Sequence, residues 1–270
     1  MMTRQISKIA LDPRRLAWGL TALVALFSGR LQAAETTIAV ASGFDYSSGK
    51  YGDQDSTQLL VIPLSISAET ISWIYGANVP YLLVRSDDRV LVTDTGIFVG
   101  NAAAGAARLQ TIRGPADLTT FATYKVPETD AGWLIDLTGR LKWPTASRAK
   151  GFSTGKVDYG VQMNLARRLD RYTPHAKVAY QVRRGEIDDQ LKNGWAANVG
   201  VKRRLGDSTS VDFTYEYRQP SSGFGFKQSE VSIAFGYTFS ANWRAVIYGV
   251  KGLADGSPDR AIGATLEARI

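Results

Sequence analysis

The sequence predicts an all-β fold: a transmembrane, antiparallel, up-and-down β-barrel of about twelve strands, preceded by a cleaved signal peptide. Three observations carry this. Apolar and polar residues alternate along segment after segment. The breaks between segments are alternately long and short. No cysteine occurs, and no long apolar run follows the N-terminal stretch. Alternation with period two means strands with one greasy face. About ten residues per segment is what a tilted strand needs to cross hydrocarbon. Short turns on one side and longer loops on the other are the layout of a bacterial barrel, whose strand number is even.

Residues 1–34 are expected to be the signal peptide. Arg4, Lys8, Arg14 and Arg15 form a positive start, and 16–28 (LAWGLTALVALFS) is an apolar core too short to span as a helix. Ala33 and Ala34 supply small residues for cleavage. An uncleaved anchor is the alternative. The barrel domain then occupies 35–270. Of the net charge of +7, the first 34 residues carry +4 (five cations against Asp12), so about +3 remains. With no basic face and no recognisable module, nucleic acid is not an expected partner.

Strand one runs from Thr37 to about Ser47, with Ile38, Val40, Phe44 and Tyr46 in phase. Strand two, Gln58–Ser67, is apolar on both faces, with Leu59 and Val61 behind Leu60 and Ile62. Strand three sets Trp73, Tyr75, Ala77, Val79, Tyr81 and Leu83 on one side, with Pro80 marking a bulge or bend. The stretch from Ser86 to Gly114 reads as an external loop folded back towards the pore mouth, or as a strand extension over Arg89–Phe98. The 101–107 piece (NAAAGAA) is small and flexible in composition. Strand four is Asp117–Val126.

Strand five is unambiguous: Trp133, Ile135, Leu137, Gly139, Leu141 and Trp143 against Asp136, Thr138, Arg140 and Lys142. Strands six to nine follow the same rule around Tyr159–Leu165, Ala176–Val182, Trp195–Val201 and Val211–Tyr217. Strand ten alternates Val231, Ile233, Phe235 and Tyr237 with small residues. Strand eleven, Trp243–Leu253, has no clear facing. Strand twelve ends the chain at Ile270. Longer breaks follow odd strands and shorter ones follow even strands, so both termini fall on the short-turn, periplasmic side. A soluble β-sandwich also alternates, but it seldom combines export, uniform strands and this loop asymmetry. Closure follows from the apolar face, because an open sheet edge in hydrocarbon leaves unpaired backbone groups at several kcal/mol each.

Several stretches resemble one known family. They are Gln58–Thr70 with Asn78-Val79-Pro80-Tyr81; Leu137–Gly155 with Asp158-Tyr159; Tyr215–Gln219; and Tyr248–Asp259, containing GLADGSPD. Together they resemble the outer-membrane transporters linked to the MetA pathway of phenol degradation. The resemblance implies an outer-membrane barrel with a transport role and no catalytic residues. Barrels of this kind usually end on an aromatic residue. Ile270 departs from that, and weaker recognition by the barrel-assembly machinery is the expectation.

The inward face is expected to line a pore with Asp136, Arg140, Lys142, Asp158, Lys177, Gln181, Arg183, Asp212, Glu216 and Arg218, joined by Lys202, Glu267 and Arg269. Opposed charges could orient polar solutes across the lumen, or could simply satisfy one another across strands. Strands one to three offer a more apolar inner wall (Leu59, Val61, Ala39, Ala41, Gly43), which would suit hydrophobic or aromatic solutes. His175, the only histidine, has no positioned nucleophile beside it, so no enzyme is expected. Asp255 and Asp259 read as a turn before they read as a calcium site. No metal and no cofactor is expected. The expected partners are outer-membrane lipid, the assembly machinery and a small-molecule solute. The functional expectation is passive passage of small solutes through the outer membrane. The alternative is a plugged structural or adhesive barrel whose outer loops matter.

Overall fold

The structure is a computed structural model. It describes residues 36–52, 55–86, 89–93, 96–100, 110–185, 191–223 and 225–270, with backbone alone over 89–100. The expected signal peptide and the whole 101–107 segment lie outside the described residues.

The strands are β1 (Thr37–Gly49), β2 (Thr57–Ile62), β3 (Leu64–Glu69), β4 (Trp73–Asn78), β5 (Tyr81–Ser86), β6 (Arg89–Thr93), β7 (Gly96–Gly100), β8 (Gln110–Pro115), β9 (Leu118–Val126), β10 (Trp133–Trp143), β11 (Asp158–Arg167), β12 (Tyr172–Val182), β13 (Gly194–Arg204), β14 (Thr209–Arg218), β15 (Gln228–Ser240), β16 (Trp243–Gly252) and β17 (Arg260–Arg269). Each pairs antiparallel with its neighbours, and β17 returns to β1 from Ala39↔Arg269 to Ser48↔Arg260. The seam is finished by Ile38 N–H on Ile270 O and Ile270 N–H on Ile38 O, at 2.9 and 2.8 Å. Among the described residues, β1, β3, β4 and β9 to β17 close a ring of twelve staves.

Three staves are interrupted. β2 and β3 are one stave in a single register on β1, broken only at Pro63, which has no N–H to give. β4 and β5 likewise share one register and break at Val79-Pro80, beside Pro63. β8 and β9 differ: β4 pairs Asn78↔Thr119, whereas β5 pairs Tyr81↔Pro115. The second stave carries one extra residue at Ala116-Asp117, a bulge. The bulge reverses side-chain parity, so Ile112 and Gly114 point inward above it and Thr119 and Thr123 below it.

The described residues of the 86–114 stretch are therefore strand and not irregular loop. It holds a hairpin (β6 with β7, Arg89↔Gly100 to Thr93↔Gly96) and β8, which is the strand-extension reading.

The exterior is apolar. Phe44, Leu137, Val161, Val199, Phe213, Ile233, Ile247 and Ile262 all stand exposed on it. In water this would be a very large greasy patch, whereas in hydrocarbon it is the favoured surface. β10 carries Trp133 at one end and Trp143 at the other. Ten residue steps of about 3.3 Å, at a tilt of about 40°, separate them by about 25 Å along the membrane normal, the height of a barrel's apolar band. Trp73, Trp195 and Trp243 also sit at strand starts and point outward, as interfacial girdles do.

Candidate functional site

The candidate site is the lumen, whose composition changes from the long-loop end to the short-turn end. At the long-loop end an apolar core sits against its wall. Leu59 of β2, Leu82 and Val84 of β5, Tyr51 and Ala116 form a buried core with Phe152, and Val61, Ile112 and Ala146 pack against it. Phe152 is 1 % exposed. It sits on the 144–157 loop, which turns through a short 3-10 segment (Arg148–Lys150) ended by Gly151 in the left-handed region. The apolar inner wall expected from Leu59 and Val61 thus exists; Phe152 packs against it, and Leu59 still borders the lumen cavity beside Tyr51.

Beside this core lies an ion cluster. Lys142 Nζ is 2.6 Å from Asp158 Oδ2 and 3.2 Å from Asp117 Oδ2, and all three side chains are almost fully buried. The other oxygens tie loops to the wall: Asp117 Oδ1 accepts from Ala146 N–H (2.9 Å), and Asp158 Oδ1 accepts from Arg184 N–H (2.7 Å). Gln181 and Arg183 are buried too. Arg183 Nη1 donates to Lys192 O at 2.9 Å, which holds the next loop. Lys142, Asp158, Gln181 and Arg183, which were expected to line a pore, are buried beside these loops.

Below this tier the lumen opens into a cavity of about 410 Å³. Tyr248 donates to Asp45 Oδ2 at 2.6 Å. Arg218 donates to Glu216 Oε1 (2.7 Å) and to Gln228 Oε1 (3.1 Å), and Lys177 reaches the same Glu216 oxygen at 3.8 Å. Glu230 completes this wall. On the opposite side Arg140 Nη2 donates to Gln162 Oε1, and Gln162 Nε2 donates to Asn164 Oδ1, both at 2.9 Å. Asp136 stands opposite Lys125, which is paired with Glu69 at 2.8 Å. Near the short turns, His175 Nε2 is 3.1 Å from Asp212 Oδ1, an oxygen that also accepts from Thr214 Oγ1. Asp136, Arg140, Lys177, Asp212, Glu216 and Arg218 are thus brought to one lumen, mostly satisfied across strands.

Lumen residues not singled out from the sequence include Asp45, Glu230, Arg244 and Tyr248. Glu230 is in phase with Ser232 and Ala234 and could have been found. Arg244 and Tyr248 share the inward face of β16 with Val246 and Val250, and those two valines hid it.

The GLADGSPD segment is a structural strap. Ser257 Oγ donates to Ser229 O and accepts from Ser229 N–H, at 3.0 and 2.8 Å. Pro258 wedges between Gly49 and Gly252, where a Cβ would meet Pro258 Cα at 2.8 Å and Pro258 O at 2.0 Å respectively. Only glycine allows that approach. Among the described residues no group of three His, Cys, Asp or Glu could hold a metal ion.

No protein-family model matches the chain, and no curated protein matches it. Solved structures do. An outer membrane channel from Pseudomonas putida F1 aligns with a TM-score of 0.63 at 13 % identity, covering 89 % of this chain and 97 % of that one. The NanC porin aligns at 0.52 and 12 %, covering 86 % and 98 %, and the KdgM porin at 0.51 and 7 %, covering 85 % and 98 %. At these identities the likeness is one of fold: a closed, antiparallel membrane barrel.

Proposed function

We propose that the protein is a bacterial outer-membrane channel through which small solutes pass by diffusion. The observation that carries this is the sealed apolar tube around a lumen lined by Arg140, Lys177, Glu216, Arg218 and Asp45, with an internal cavity of about 410 Å³. An apolar exterior requires lipid, and charged residues inside require water. The short turns and both ends of the strand ring's chain, at β1 and β17, then face the periplasm, and the barrel-assembly machinery inserts it. The solved structures it resembles include proteins named as an outer membrane channel and as porins, which supports the same reading.

The resemblance to the phenol-pathway transporters extends the reading to hydrophobic or aromatic solutes. The lumen favours polar ones. The apolar inner wall at Leu59, Leu82 and Val84 is occupied by Phe152, so an aromatic solute must displace that ring to reach it.

Single-channel recording and liposome swelling test the proposal. Stepwise conductance and swelling with small sugars and amino acids are the expected result. Bilayers no leakier than protein-free ones would overturn it and favour the second reading, a plugged barrel that acts through its outer loops. That reading has its own support in the folded 144–157 loop.

A further inference from the structure

At the short-turn mouth cations outnumber acids: Lys202, Arg204, Arg244 and Arg269 line one cavity with Asp207. Lys202 of β13 and Arg244 of β16 both face inward and line a cavity of about 360 Å³. Lys202 stands opposite Asp212 in the register. That carboxylate is already engaged by His175 and Thr214. Glu267, the next acid in the mouth, is held by Arg269 at 2.7 Å. Asp207, in the turn at the rim, lines the cavity as well. Among the described residues, neither Lys202 nor Arg244 makes a hydrogen bond or an ion pair.

Arg244 reaches across β15 because residue 236 is glycine. A Cβ there would lie 2.9 Å from Ser210 Oγ and 3.4 Å from Arg244 Nη2. The guanidinium and the Ser210 hydroxyl thus both lie close to the same bare backbone, and Lys202 and Thr173 line the same cavity. Lys202 and Arg244 repel one another, and neither Asp207 nor Asp212 makes an ion pair with them among the described residues. A bound anion removes that repulsion and takes up their donors.

We propose that Lys202, Arg244 and Ser210 form a binding site for a small oxyanion, the phosphate, sulfate or carboxylate group of a solute, at the short-turn mouth of the lumen. The proposal rests on reading the lumen as a solute path. Both cations face that lumen and not the lipid, so the ligand is a solute and not a headgroup. The middle of the lumen is richer in acid, with Asp45, Glu216 and Glu230 against Arg218. Tyr248 and Arg244 are four residues apart on one strand, about 13 Å. Charge is thus graded along the axis, and an anion held at the mouth sits at the basic end of that gradient.

The test is calorimetric titration of the folded, full-length mature barrel in detergent with inorganic phosphate at low salt. Saturable binding is expected. Lys202→Gln and Arg244→Gln should each weaken it about tenfold or more, the loss of one charge-assisted contact. Lys227→Gln, on an exposed loop at the far end, should leave it unchanged. Heat-modifiable gel mobility checks folding. Should a glutamine variant fail to assemble, Gly236→Val keeps both cations, crowds Ser210 and Arg244, and should also weaken binding. Absence of saturable binding, or binding unaltered in the glutamine variants or in Gly236→Val, overturns the site. Soluble dihexanoyl phosphatidic acid binding far more tightly than phosphate overturns the solute assignment. A barrel that binds phosphate but carries no current keeps the site and loses the channel. One that conducts without binding loses only the site.

Discussion

The wall from β10 to β17 and the wall from β2 to β9 obey different rules. In the first, strands run from end to end, their one register shift falls at Thr238/Ser240 beside a short turn, and above it the inner face is a ladder of charges facing water. In the second, Pro63, Val79-Pro80 and the Ala116-Asp117 bulge break three adjacent staves at one height. Above the breaks, β2, β5 and β8 carry Leu59, Leu82, Val84 and Ile112 inward and pack them against Phe152. The lower wall is a membrane protein with lipid outside and water inside. The upper wall is a small globular core set into the barrel's mouth. The difference shows that inner-face chemistry follows strand continuity. A stave that can bend at a proline or a bulge can close over a loop, and a straight one cannot.

The strongest way to break this contrast is Lys142→Ala. Removing the ammonium leaves Asp117 and Asp158 buried as uncompensated carboxylates, a loss of about 3–5 kcal/mol. The expected result is a 144–157 loop that proteases cut while the twelve-stave ring stays folded and heat-modifiable. A ring that unfolds together with the loop would mean that the two regions are one cooperative unit. Lys142→Met combined with Asp117→Asn and Asp158→Asn should recover most of the loss. Asparagine keeps an acceptor for Ala146 N–H and Arg184 N–H, and the buried charges are gone.

Phe152→Ala comes next, at about 3 kcal/mol, because a fully buried ring is deleted from a packed core. It should also uncover Leu59, Leu82 and Val84. A fluorescent apolar probe should then bind the mouth, and single-channel conductance should rise. Unchanged probe binding would show that the loop collapses into the vacancy, and the mouth would not be a separable lid.

In the regular wall the comparable test is Tyr248→Phe. It takes the 2.6 Å hydrogen bond from Asp45 and leaves a half-buried carboxylate one donor short, about 1–2 kcal/mol. β16 and β1 are not neighbours, since β17 lies between them. The bond therefore spans a stave next to the closing seam, and its loss should lower the unfolding temperature without altering the 144–157 loop's resistance to proteases.

Most of this fold could be read from the alternation itself. Strand five, from Trp133 to Trp143, and strand nine, around Val211–Tyr217, have one residue type per face, and the structure keeps both phases. What the sequence concealed has two physical sources. The first is a face that is apolar on both sides. On β2, Leu59 and Leu60 are equally greasy, and nothing local says that one meets lipid and the other meets Phe152, some ninety residues away. The second is the bulge. Ala116-Asp117 shifts parity by one residue, so Ile112 points inward although a count from Thr119 would put it outside. The phase of the expected set was legible: Asp136, Arg140 and Lys142 keep to the face of β10 opposite the exposed Leu137 and Leu141. Exposure was not legible, because Lys142, Asp158, Gln181 and Arg183 are buried by loops whose folding period-two logic does not describe.

The smallest expected effect completes the contrast, because it uses the same chemistry as the largest. Arg168 and Glu128 pair at 2.9 Å on the short-turn side, a contact about as close as Lys142 with Asp158. Arg168 is 64 % exposed, whereas the Lys142 ammonium is 3 % exposed. In water, the gain from an ion pair is nearly offset by side-chain ordering and solvent screening, so Arg168→Gln should change stability by about 0–1 kcal/mol. Inside the mouth the same substitution strands two carboxylates that water cannot reach. If chemical unfolding gave Arg168→Gln and Lys142→Gln equal losses, then the mouth would be wet, the cluster would be an ordinary surface contact, and the division of the barrel into a membrane wall and a globular core would fail. If the two losses differ several-fold, burial sets the strength of each pair, and Lys142 is what fastens the 144–157 loop to the wall.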